Sequence, residues 1–147
     1  MFRRRHGDLE VLLVHPGGPF FRNKDAGAWT VPKGEAGEDE ELLDRARIEF
    51  REELGMEPSA TEPIALGSVK QKGGKTVYAW AFEGDLRENF IVASNTFAME
   101  WPPRSGRTER FPEIDRAEFF SIEAAKLKIN PAQVPFLERL TDILSNQ

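Results

Sequence analysis

The chain has 147 residues, 39% of them hydrophobic, no cysteine, and a formal charge of −5 from 20 basic and 25 acidic side chains. That length suits one domain able to bury its own core, and 11 Phe within that apolar content exclude an intrinsically disordered chain. The lack of cysteine excludes disulfides and thiolate metal sites, and the acidic balance argues against nucleic acid as a partner.

No apolar run approaches the ~20 residues that span a bilayer, so no membrane association is expected. The charged start, Met1 to His6, is not followed by an apolar stretch of signal-peptide length. The expectation is a single domain over 1–147 in the cytoplasm, a compartment with which the missing cysteines are compatible.

Taken in chain order, Phe2 to Arg5 and Leu9 to His15 read as a strand hairpin across His6-Gly7-Asp8, the second strand buried and rich in Val and Leu. Pro16-Gly17-Gly18-Pro19 stops it. Ala28 to Val31 reads as a short strand ended by Pro32 and Gly34. Residues 39–54 read as a helix, with Asp39 as its cap and Leu42, Leu43, Ala46, Phe50 and Leu54 on one face. Gly55 is the C-terminal stop.

Ile64 to Lys70 and Thr76 to Phe82 form a second predicted hairpin, turned by Gln71-Lys72-Gly73-Gly74-Lys75. Asn95 to Trp101 is a further strand, followed by a polar loop to Pro112 and a short strand over Ala117 to Ser121. A last helix is predicted from Asn130-Pro131, with Asn130 as cap, Gln133 placed for a capping box, and Leu137, Leu140, Ile143 and Leu144 on its apolar face. Two helices separated by a run of strands give an α+β or mixed α/β sandwich rather than a regular βαβ alternation.

The charge is concentrated. Residues 34–56 hold seven Glu and two Asp against three Arg, a net −6, and the rest of the chain is +1. On a helix with about 100° per residue, Glu53 lies about 40° from Glu49 and Glu52 about 60° on the other side. These three carboxylates therefore gather at the edge of the buried face, where they repel one another unless a cation joins them. Arg45 and Arg51 lie nearby and offset part of that repulsion. One reading is a solvated acidic face. The other is a site for a hard divalent cation, which takes carboxylate oxygens, waters and substrate phosphates.

The segment from Gly34 to Met56 resembles the Nudix box: Gly, five residues, Glu, seven residues, Arg-Glu, a bulky apolar residue, any residue, Glu-Glu, any residue, Gly, and a bulky apolar residue. Gly34, Glu40, Glu49, Phe50, Glu52, Glu53, Gly55 and Met56 fall in register. Ile48 stands where the family has arginine. Arg47 is about 100° away from that position, and Arg51, one turn on, is the residue expected to reach back.

The resemblance implies a Nudix-like α/β/α sandwich with a mixed β-sheet, a box helix over 39–54 and a C-terminal helix. It implies Mg²⁺ or Mn²⁺ held by Glu49, Glu52 and Glu53, with the backbone carbonyl of Lys33 as a further ligand and Glu40 in support. Glu49 and Glu53 are expected to be catalytic, Glu49 also as base toward water. A further acid on a late loop is expected at Glu113, with Glu109 as competitor and Glu100 behind it.

Trp29-Thr30-Val31-Pro32-Lys33-Gly34-Glu35 resembles the entry to the box in Nudix branches that cut dinucleoside polyphosphates or diphosphoinositol polyphosphates. On that footing Lys33, Lys72 and Lys75 are expected to meet phosphates, with Lys70 in the same cluster. Tyr78 is expected to bind substrate by stacking on a base, with Trp80, Phe97 and Trp101 as further stacking candidates. The expected reaction is attack of a metal-activated water on phosphorus in a nucleoside diphosphate linked to another moiety. Diadenosine tetraphosphate leads the candidates, with a nucleoside triphosphate, a diphosphoinositol polyphosphate or a capped RNA end as alternatives. A Nudix-fold module that binds nucleotide without turnover, motivated by Ile48, is the reading from another class. His15 is expected to be structural. Monomer and homodimer both stay open.

Overall fold

The apolar run near the start of the chain becomes the central strand of the computed structural model, which describes residues 1–32, 41–58 and 61–147. Strand β1 (Phe2–Arg5) turns through His6 and Gly7, both at positive φ, into β2 (Asp8–Pro16). On its other edge β2 pairs antiparallel with β7 (Ile114–Ser121). Side chains alternate along a strand, and β2 is apolar on both faces. Val11 and Leu13 enter one core, and Leu12 and Val14 enter another. That is why Val11 to His15 are buried without a break.

Among the described residues, three helices cover the strands. Helix α1 (Leu42–Leu54) packs Phe50 and Leu54 against Leu12, Val14 and Ile114. Helix α2 (Ile122–Lys128) and helix α3 (Val134–Ser145), joined by a 3₁₀ turn over Pro131–Gln133, supply Ala125, Phe136, Leu137 and Leu140 to the other core. The hairpin of β3 (Ile64–Lys70) and β4 (Thr76–Ala81) adds Leu66, Val69, Val77, Ala79 and Ala81 to that core. A bulge in β3 is held by Arg139 of α3, whose guanidinium donates to the carbonyls of Leu66 and Ser68, both at 2.9 Å. Parallel bridges from Phe2 to Glu83 and from Trp29 to Ile129 make the pairing mixed. The result is the expected α/β/α sandwich.

Several expectations change. Asp39, the expected cap of α1, lies outside the described residues. The helix runs from Leu42, and Glu41 before it makes no side-chain cap bond. Ala28–Val31 is not a strand: Trp29 and Thr30 make single bridges, and the amide of Val31 donates to the side chain of Gln133 at 3.0 Å. Gln133 is therefore not in a capping box, although Asn130 does cap Ala132 as expected. The loop expected before Pro112 contains β6 (Thr108–Pro112), paired with β5 (Thr96–Glu100). Helix α2 was not expected at all. It begins at Ser121, whose hydroxyl accepts from the amide of Ala124.

Candidate active site

Helix α1 turns its C-terminal half toward β7 and toward the segment that leads into β5. Glu49 and Glu53 are each only 8% exposed, an unusual position for a carboxylate unless it is paired. Glu49 accepts from the guanidinium of Arg45, and the same group lies 3.6 Å from Glu52. Arg51, the residue expected to reach back, instead bonds Glu57 at 3.3 Å on the exposed side. Arg45 lies three positions before Ile48 and Arg51 three after it, and it is Arg45 that engages the acidic face.

The end of α1 is tied to the late loop through backbone. The amide of Asn95 donates to the carbonyl of Glu52 at 3.0 Å, and the amide of Glu113 donates to the carbonyl of Asn95 at 2.8 Å. The carbonyl of Glu113 in turn accepts from Gly17 at 2.8 Å. Two glycines permit this approach. Gly55 ends α1 at φ +74°, and a Cβ there would stand 2.8 Å from the carbonyl oxygen of Ala93. A Cβ on Gly17 would run into the carbonyl of Pro112.

Glu113 thus joins the box helix, while Glu109 pairs with Met99 in the β5–β6 hairpin and Glu100 caps the amide of Arg104. Asn95 and Gly17 were not anticipated. Only the pairing between distant segments picks them out.

Trp29 anchors the chain before the box. It is 1% exposed, donates its indole N–H to Asp25 at 2.8 Å, and meets the ring of Phe120 edge to face. His15 is fully buried between Asp115 and the carbonyl of Lys24, each at 2.7 Å, which bears out its structural reading. Lys33, Gly34 and Glu40 lie outside the described residues.

A cavity of about 570 Å³ opens beside α1, within the size range of small-molecule sites. Arg45 lies on its wall, so the acidic face and the cavity share a residue. The lining also includes Lys75 before β4, Tyr78 and Trp80 within it, and Phe82 beyond it. Tyr78 is 45% exposed, in keeping with a ring available for stacking. Lys72 sits at the exposed hairpin tip, away from the described lining. Phe97 and Trp101 are elsewhere, against Phe111 and Phe20 of a separate aromatic group.

Among the described residues no three His, Asp or Glu side chains already converge to hold a cation. The donor set nevertheless fits a hard divalent cation, for the carboxylates of Glu49, Glu52 and Glu53 offer only oxygens. Mg²⁺ commonly takes one or two protein carboxylates and completes its shell with waters and substrate phosphates. A closed cage of side chains is not required.

The family model described as NUDIX domain matches residues 1–140. Similar solved structures include a C. elegans Ap4A hydrolase in a binary complex, at 17% identity and a TM-score of 0.70 over 99% of this chain and 95% of that one. The MutT protein from Methanosarcina mazei Go1 is 22% identical, with a TM-score of 0.55 over 99% and 91% of the two chains. The NUDIX domain of Shewanella oneidensis NrtR, complexed with ADP ribose, is 15% identical, with a TM-score of 0.59 over 97% and 82%. Comparison with curated proteins gives no match. No helix among the described residues is long and apolar enough to cross a membrane.

Proposed function

This chain belongs to the Nudix family of pyrophosphohydrolases, and from that premise we propose that it cleaves a phosphoanhydride in a nucleoside diphosphate linked to another moiety, a dinucleoside polyphosphate such as diadenosine tetraphosphate first among them. The observation that carries the reading is the junction at Arg45: buried carboxylates on one side, a cavity with an aromatic wall on the other. The fold shared with a C. elegans Ap4A hydrolase supports the choice of substrate, as does the Trp29-to-Glu35 entry.

In this reading Glu49, Glu52 and Glu53 hold Mg²⁺ or Mn²⁺. The bound cation supplies charge neutralisation to the polyphosphate and acidity to water. Glu49 takes the proton of the attacking water, whose oxygen bonds to phosphorus as the bridging P–O bond breaks. Glu113 completes the acidic set across the Asn95 link. Lys75 meets phosphate as a point charge, and Tyr78 stacks on a base.

Product release from diadenosine tetraphosphate, nucleoside triphosphates, a diphosphoinositol polyphosphate and a capped RNA, each with and without Mg²⁺, tests this. The expected result is Mg²⁺-dependent cleavage, fastest for the dinucleoside. In the same assay Glu113→Gln should lose more turnover than Glu109→Gln. Absence of any metal-dependent release, with a nucleotide still raising the melting temperature, would instead identify a binding module.

A further inference from the structure

Arg45 occupies the first turn of α1. A cation there opposes the helix dipole, and arginine four residues before glutamate is the poorer order for a helical ion pair. Helix stability therefore does not account for its position. Its geometry does: with Arg45 at zero, Glu49 lies about 40° to one side and Glu52 about 20° to the other, so one guanidinium stands between both acids. It engages Oε1 of Glu49 and lies 3.6 Å from Oε2 of Glu52, with only 24% of the side chain exposed.

We propose that Arg45 is the positioning residue of the metal site, fixing Glu49 and Glu52 from one turn earlier in a chain that has Ile48 where the box has arginine. The guanidinium contacts Glu49 at Oε1. This inference rests on the reading that Glu49, Glu52 and Glu53 bind a divalent cation.

Two effects of removing Arg45 have opposite signs, which makes the inference testable. If the guanidinium acts only as a like charge, its loss tightens cation binding. If it orients the acids, its loss weakens binding, by about 10–100-fold for a residue that supports a ligand.

The experiment is Mn²⁺ binding to the full chain, by calorimetry or by the signal of free Mn²⁺ in electron paramagnetic resonance, together with kcat and KM. The wild type, Arg45→Ala, Arg45→Lys, the double variant Arg45→Ala with Ile48→Arg, and Glu53→Gln are compared. Arg45→Ala is expected to bind Mn²⁺ about 10-fold or more weaker. Its kcat should fall while KM changes little, and Arg45→Lys should keep part of both. The double variant should recover binding and kcat to within a few-fold of the wild type.

Unchanged or tighter Mn²⁺ binding in Arg45→Ala overturns the proposal. If Arg45→Ala also unfolds at lower temperature, the double variant decides, and no recovery overturns it. Should Glu53→Gln abolish binding while Arg45→Ala binds Mn²⁺ as tightly as the wild type or more tightly, only the role of Arg45 fails. Should Glu53→Gln bind like the wild type, the metal-site reading fails and this inference falls with it.

Discussion

Asp25 joins three parts of the chain through one carboxylate. It accepts from the indole of Trp29 and from the ammonium of Lys128 at the end of α2. The Lys128 bond, followed by the Trp29 bond, holds its carboxyl below the ordinary 3.8. A depressed folded-state value gives stability that is present above 3.8 and lost as pH falls through the folded value. Asp25→Asn keeps an acceptor for the indole and removes the charge. Its melting temperature should lie slightly below the wild type at pH 7, with the gap closing in high salt and as pH falls through the depressed folded-state value of the Asp25 carboxyl.

Helical arithmetic on the sequence was enough to put Glu49, Glu52 and Glu53 on one edge. Applied to Arg45 it would have paired that residue with Glu49, where Arg51 was favoured instead. The backbone link from Glu113 to the end of α1 was beyond such arithmetic, because it depends on Asn95 bonding two segments distant in sequence.

At the scale of elements, the end of α1 carries the site. Gly55 lets the chain turn back while Ala93 and Asn95 pass close by, the amide of Ala93 donating to Leu54. Gly55→Ala would force a left-handed conformation on a residue with a side chain, at about 1–2 kcal/mol, and would press Cβ against the Ala93 carbonyl. Chemical denaturation should report a loss of about 2 kcal/mol, with reduced turnover because Asn95 moves with Ala93. An unchanged midpoint would contradict this role.

Elements with a strong apolar period, such as α1 and β2, were legible in the sequence. Helix α2 was not, since only Ala125 of its seven residues is buried. Strand β6 was missed for a related reason: Phe111 is its only residue that is not exposed, and the strand exists through its partner β5.

At the scale of the molecule, β2 separates two cores, one under α1 and one under α2 and α3. Because α1 is pinned by Phe50 and Leu54 into the first of these, Glu49 and Glu53 on its acidic edge are buried rather than left in solvent. The family was legible because the box is a local pattern on one helix. The cavity was not, for its walls come from α1, β4 and α3, which meet only in the folded chain.

The central claim is that the carboxylates of α1 drive a metal-dependent cleavage. It is tested most directly by kcat of Glu53→Gln at saturating Mg²⁺, on the nucleotide the wild type cleaves fastest. The account predicts a fall of about 10²–10⁴-fold with the metal-free melting temperature little changed. Wild-type turnover in Glu53→Gln would contradict it.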